Sequence, residues 1–247
     1  AVVVSASSLY KLDSINIRHH WPSDGARRLG LLGSEEDPLQ TKRDIESTMK
    51  MAEGLIEKWK TQGAKLAPPP TPTKTVKLQL ADFGSNGKPK ATQPYFTLKI
   101  GKRVLKRDVH NVKSGVKLFS ANVRKPFGFV SNANAGGLQY GGALWSIVSD
   151  FDCRGVSPGE TYSITDHCGQ ITLLVPDIDP AYLAAQVRQA GLDYGFNREF
   201  RPSLELIRKL EIELPVDDHG NFDLKLMQDW TSFREKMELF KNELSIL

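Results

Sequence analysis

The stretch "ETYSITDHCGQITLLVPDIDPAYLAAQV", residues 160–187, decides the fold. Its two runs rich in β-branched and aromatic residues, 160–166 and 170–178, predict strands. Asp179-Pro180 follows as a helix N-cap with proline at the first helical position, and the apolar residues behind it predict a helix that ends at Gly191. The order of strand, turn, strand and helix is typical of an α+β chain.

Outward from this stretch, the residues before it also predict strands. Residues 75–80 alternate apolar and polar side chains, as a half-buried strand does. Similar runs at 94–100, 116–123 and 143–151 are separated by Gly, Pro and Asn clusters. Because no helical segments alternate with these runs, we expect an antiparallel β-sandwich or barrel-like core. An N-terminal helix and C-terminal helices flank it.

The flanking helices and a proline tract divide the chain. Asp37-Pro38 and Gly63 predict the two ends of an N-terminal helix. The prolines of residues 65–74 favour an extended linker. The predicted organisation is an N-terminal arm and helix over 1–64, a proline-rich linker over 65–74, a basic β-rich body over 75–178 and a C-terminal helical region over 179–247.

An apolar heptad pattern runs through the C-terminal helix. Its members alternate spacings of four and three residues: Leu226, Trp230, Phe233, Met237, Phe240 and Leu244. This spacing is typical of a helix that pairs with another helix, and it predicts self-association into a homo-oligomer. The bulky aromatic members also suit packing on the chain's own sheet, and both interpretations stay open.

The charge distribution is the strongest functional signal. Residues 74–125 contain 13 lysines and arginines against two aspartates, a net charge of +11, while the rest of the chain carries −7. The candidate nucleic-acid-binding residues are Lys99, Lys102, Arg103, Lys106, Arg107, Lys113, Lys117, Arg124 and Lys125. Phenylalanines and a tyrosine are interleaved with them, and exposed aromatic rings stack on unpaired bases. We therefore expect an anionic partner.

The expected partner is a nucleic acid, with RNA favoured over DNA, or an anionic membrane surface. No sequence signature of a known nucleic-acid-binding module is present. No apolar run approaches the ~20 residues of a membrane span. With only two cysteines the chain is expected in the reduced cytoplasm, including inside a virion or another assembly.

The sequence favours a non-enzymatic role, and one enzyme alternative concerns the turn at 165–170. Cys168 beside His167, with Asp152 upstream, could form a cysteine-dependent hydrolase or transferase. The competing interpretation is a hairpin in which Cys168 packs as a small apolar residue. The Gly- and Asn-rich residues 131–142 are a second candidate functional loop. The pattern predicts no metal site and no cofactor.

Together these features predict a self-assembling structural protein of the coat, matrix or transport type, including viral ones, that binds nucleic acid or an anionic surface through a basic patch on its β body. A protein–protein adaptor that uses the proline tract and the terminal helix is a further alternative. Fold-level analogy carries this prediction, and such analogy is a weak guide to function.

Overall fold

The fold is given by a computed structural model that describes residues 38–63, 68–69, 71–82, 94–110, 115–148 and 150–244. The chain divides into two compact units, residues 1–66 with 240–247 and residues 67–239. In the first unit, helix α1 spans Pro38–Gly63, between the two predicted signals. The predicted arm before residue 38 lies outside the described residues, and the predicted domain boundaries stay a prediction.

Strands dominate the rest of the described chain. In chain order they are β1 Thr75–Gln79, β2 Phe96–Ile100, β3 Val116–Phe119, β4 Gly128–Val130, β5 Ala135–Gly136, β6 Gly142–Ser146, β7 Cys153–Val156, β8 Thr161–Ile164, β9 Cys168–Leu173 and β10 Glu211–Pro215. The remaining helices are α2 Pro180–Asp193, α3 Leu204–Arg208 and α4 Leu224–Leu244, with one 3₁₀ turn at Lys106–Asp108.

The strands form three sheets. The central sheet has the order β2-β9-β6-β7 and is antiparallel throughout. The second sheet has the order β4-β3-β8-β5, in which β3 and β8 pair in parallel and the other neighbours are antiparallel. The third sheet contains β1 and β10 alone.

The burial of strand β6 shows that the core has three layers: α2, the central sheet and the second sheet. All five of its residues are buried, although successive side chains of a strand point to opposite faces. Ala143 and Trp145 belong to the apolar cluster that includes Leu183 of α2. Leu144 belongs to a second cluster with Tyr162 of β8. The central sheet is therefore covered by α2 on one face and by the second sheet on the other.

This arrangement confirms the predicted α+β fold class, with mostly antiparallel sheets and a few helices. The predicted cap of α2 is also present, because the Asp179 side chain accepts a hydrogen bond of 2.7 Å from the Tyr182 backbone N–H. Asp179 further accepts a hydrogen bond of 2.9 Å from the Thr231 hydroxyl, which ties α4 to the start of α2.

Acidic side chains on β10 and just after it neutralise two lysines of the basic region. Lys77 lies opposite Glu213 in the register. Its Nζ atom is 3.2 Å from Oε1 of Glu213 and 3.6 Å from a carboxylate oxygen of Glu211. Hydrogen bonding to Glu213 is the main reason that the pKa of Lys77 is raised. Lys74 is paired with Asp218 at 2.9 Å. These two lysines, counted in the basic region of the sequence, already have acidic partners.

Candidate nucleic-acid interface

Five of the predicted cations lie on one segment, which we name the cationic ridge. Its members are Lys99, Lys102, Arg103, Lys106 and Arg107, and all five are exposed. The ridge starts on β2, an edge strand of the central sheet, and ends in the 3₁₀ turn. Among the described residues, only Arg107 has a carboxylate near it, at 3.8 Å from Asp108. The ridge therefore presents cations whose charge is largely uncompensated.

A glycine lets the ridge cross from the central sheet to the second sheet. The Gly101 backbone N–H donates to the Cys168 carbonyl at 3.0 Å, which continues the β2–β9 pairing by one residue. A Cβ atom at this position would lie 2.6 Å from the Ile164 carbonyl oxygen at the end of β8. Since real side chains do not tolerate that distance, glycine is needed where the ridge passes this strand.

The other predicted cations are divided by their surroundings. Lys117 on β3 and Lys125 are exposed, and Lys113 lies outside the described residues. Arg124 donates to both carboxylate oxygens of Asp152, with 2.8 Å between Nη2 and Oδ1, and Arg188 donates to the same carboxylate at 3.1 Å. Hydrogen bonding to Asp152 raises the pKa of Arg124. Arg124 therefore stabilises the fold through this network, a role that its sequence position does not indicate.

The interleaved aromatic residues mostly face the core. Phe96 and Phe119 are buried, and Tyr95 and Phe129 are partly buried. Phe127, with 64% of its surface exposed, is the one of these five rings that is open to solvent. A surface that binds single strands by stacking needs several such rings. The described residues offer cations for phosphates rather than a row of stacking platforms.

An open cavity of about 340 Å³ with a mixed polar and apolar lining lies where the ridge meets the second sheet. It is lined by Val104, Arg107, Asp108, His110, Val130, Ser131, Asn132, Asn134 and Ser163. His110 and Phe129 exchange backbone hydrogen bonds of 2.8 and 2.9 Å, which fix the end of the ridge segment against β4. The cavity thus joins the ridge to the Asn-rich loop that the sequence analysis singled out.

Hydrogen bonds hold that loop in place. The Asn134 side chain donates to the Ile164 carbonyl and accepts from the Ile164 N–H, at 3.0 and 2.9 Å, as a neighbouring strand would. The Ser163 hydroxyl accepts from the Asn134 N–H at 3.0 Å and donates to the Asn132 carbonyl at 2.9 Å. These bonds use the side chains of Asn134 and Ser163, whereas the carboxamide of Asn132 has no hydrogen bond to the described part of the chain.

The turn with Cys168 and His167 is structural. The Cys168 N–H donates to the Thr165 carbonyl at 3.0 Å, which closes a tight turn from β8 in the second sheet to β9 in the central sheet. The turn thus joins two sheets and is not the tip of a paired hairpin. Cys168 is fully buried between the sheets, while His167 is exposed. Burial raises the pKa of the Cys168 thiol to about 12, which is the opposite of nucleophile activation.

We expect both cysteines to react slowly with a thiol reagent in the folded protein. Cys153 and Cys168 are free and buried, and burial raises the pKa of each thiol. The measurement is the rate of labelling by a disulfide reagent at neutral pH, with the urea-unfolded chain as control. Labelling should be at least about a hundredfold faster after unfolding. Fast labelling of Cys168 in the folded protein would revive the enzyme alternative.

The predicted self-association residues of α4 have mixed surroundings. Trp230 packs edge-to-face on Tyr182 of α2, with 5.0 Å between ring centroids, and it lies against the main core cluster. Among the described side chains of this helix, Met227 is the fully buried one, and it lies outside the heptad. Leu226 and Phe233 are partly buried and Met237 is exposed, while the side chains of Phe240 and Leu244 lie outside the description. The use of this face in an oligomer stays a prediction.

The described residues contain neither a cluster of metal ligands nor a helix that could span a membrane. No group of three or more His, Cys, Asp or Glu side chains within them could hold a metal ion. No helix in this part of the chain is long and apolar enough to cross a membrane.

Comparison with known proteins gives similarity in structure alone. No protein-family model and no curated protein sequence matches the chain. The S subunit of a type I restriction-modification system from M. genitalium is similar over 79% of this chain and 46% of its own, with a TM-score of 0.50 and 13% identity. The HsdS subunit from Thermoanaerobacter tengcongensis is similar over 81% and 50%, with a TM-score of 0.49 and 9% identity.

The chain spans about half the length of these solved chains. The first of them shows that the α+β fold described above is shared with a restriction-modification S subunit. This finding contradicts the function that the sequence suggested. The prediction of a self-assembling coat, matrix or transport-type structural protein, viral or not, is wrong, because it was based on an analogy of parts, whereas the fold is shared with a restriction-modification S subunit.

Proposed function

We propose that this chain is a DNA-recognition module like those of type I restriction-modification S subunits, and that it binds duplex DNA through the cationic ridge. Restriction and modification are reactions on DNA, so the shared fold supports DNA as the nucleic acid. The observation that carries the proposal is the ridge itself, five exposed cations in a segment of nine residues, four of which have no acidic partner among the described residues.

The physical basis of the binding is phosphate neutralisation. Each lysine or arginine that contacts a DNA phosphate releases condensed counterions, and this release favours binding at low salt. The ridge lies partly on a paired strand and partly in a hydrogen-bonded turn, so its backbone is ordered before DNA arrives. Less conformational entropy is then lost on binding.

A duplex fits this surface better than the single-stranded RNA that the sequence favoured. Recognition of single strands requires exposed rings, and four of the five interleaved aromatics are fully or partly buried. An anionic membrane surface and a homo-oligomer receive no support from the shared fold. We keep nucleic acid as the partner and replace RNA by DNA.

The test is fluorescence anisotropy of a labelled DNA duplex titrated with the full chain between about 50 and 200 mM salt. Four phosphate contacts, one for each ridge cation without an acidic partner among the described residues, predict a slope of log affinity against log salt of about −3.6. A single-stranded RNA of equal length and vesicles with anionic lipid serve as competitors. The proposal is contradicted if the labelled duplex does not bind at low salt. It is also contradicted if the RNA or the vesicles displace the labelled duplex at a lower phosphate concentration than unlabelled duplex requires.

A further inference from the structure

The cavity beside the ridge offers a mixed set of hydrogen-bonding groups. Arg107 contributes donors only, Asp108 acceptors only, and the Asn132 carboxamide contributes both. The side chains of Ser131 and Asn132 have no hydrogen-bond partner among the described residues. A phosphate would bring only acceptors and negative charge, and Asp108 would repel it. The cavity is therefore built for a ligand that presents donors and acceptors side by side.

We infer that this cavity is the base-reading site of the module, in which Asn132 recognises an adenine and Arg107 a guanine at the major-groove edge of the DNA. The inference rests on the DNA binding proposed above and adds the residues that select the sequence. An asparagine carboxamide matches the adjacent N6 donor and N7 acceptor of adenine, and a guanidinium matches the O6 and N7 acceptors of guanine.

The position of these two side chains supports the assignment. Arg107 is the last member of the ridge, and it also lines the cavity. When the other ridge cations bind the DNA phosphates, the cavity therefore lies beside the adjacent groove of the DNA. Asn132 projects from a loop whose backbone is held by Asn134 and Ser163 at four hydrogen bonds of 2.9–3.0 Å. A side chain on such a fixed loop discriminates well, because little freedom is lost when it pairs with a base.

The experiment is selection of bound duplexes from a pool with a randomised centre, followed by sequencing, with the full chain and three variants. Asn132→Ala should reduce the preference for adenine at one position by about tenfold, and Arg107→Ala the preference for guanine at another. Arg103→Ala is the matched control, since this ridge arginine does not line the cavity. It should weaken binding to all sequences alike and lower the salt slope by about one unit.

The outcomes separate this inference from the proposed function. If the wild-type chain binds DNA and selects no sequence, or if both cavity variants keep its preference, the base-reading assignment is wrong and DNA binding stands. If the wild-type chain does not bind DNA, both fail together. Asn132 and Arg107 are exposed, so thermal unfolding of the variants should match that of the wild type, and this measurement excludes misfolding as the cause of a lost preference.

Discussion

Replacing Lys102, Arg103 and Lys106 by glutamine is expected to lower the affinity for duplex DNA by about a hundredfold to a thousandfold near 0.1 M salt. The three side chains are exposed and have no carboxylate within salt-bridge distance among the described residues. Their removal leaves no partner unpaired among the residues that the structure describes. The loss therefore measures phosphate contacts and not damage to the fold.

The salt dependence gives a second, independent readout of the same variant. Three lost phosphate contacts should reduce the slope of log affinity against log salt by about 2.7. Arg107 is retained, so the cavity keeps both of its proposed base-reading side chains. Whatever binding remains should show the wild-type sequence preference.

A matched control carries the same change in net charge. Lys74→Gln, Lys77→Gln and Lys225→Gln remove three exposed lysines that are paired with Asp218, Glu213 and Asp229. If general attraction to a basic protein caused the binding, both triple variants would lose affinity equally. Equal losses would place the interface outside the cationic ridge, whereas a loss confined to the ridge variant supports the proposal.

Local sequence signals predicted the elements that short-range physics determines. The Asp-Pro pairs located the starts of α1 and α2, because capping and a fixed proline φ act within one turn. Period-two alternation located β1, and runs rich in β-branched and aromatic residues located β2, β3, β6, β8 and β9. The two Lys-Arg doublets located the ridge, since closely spaced cations of one sign avoid the core.

Long-range pairings were missed because they leave little local trace. Strand β10 lies in a region that was predicted to be helical, and it pairs with β1 more than 130 residues earlier in the chain. The alternation of Glu211, Ile212, Glu213 and Leu214 was the available signal for this strand. Without the pairing, Lys77 counts as a free cation, and the same is true of Arg124 before Asp152 is placed beside it.

The cavity was missed for a related reason. The glycines and asparagines of residues 131–142 indicated a functional loop, but the same composition is typical of any connection. Only the fold brings Asn132 beside Arg107, because β3 and β8 pair in parallel and Asn134 is anchored on Ile164. The Asn134 side chain pairs with the backbone of Ile164 as a neighbouring strand would, and such pairing leaves no recognisable pattern in the sequence.

Gly169→Ala is expected to destabilise the protein by about 3 kcal/mol, the upper range for overpacking a core. Gly169 lies opposite Trp145 in the β6–β9 register, and an added Cβ would meet the six-membered part of the buried indole, with Cη2 at 2.5 Å. This contact explains why a glycine follows Cys168. Neither strand can yield easily, because both are buried within the central sheet.

The measurement is urea unfolding followed by circular dichroism, with a double-mutant cycle to identify the cause. Trp145→Phe removes the part of the ring that the new methyl group would strike, so the double variant should be more stable than the two single losses predict, by about 1 kcal/mol or more. Gly54→Ala on α1 is the control, since nothing lies within 4 Å of its Cβ position, and alanine there should be neutral or stabilising by up to about 1 kcal/mol. Additive losses in the cycle would show that Gly169 is required for a reason other than the indole, and a neutral Gly169→Ala would mean that β6 and β9 are farther apart than this register places them.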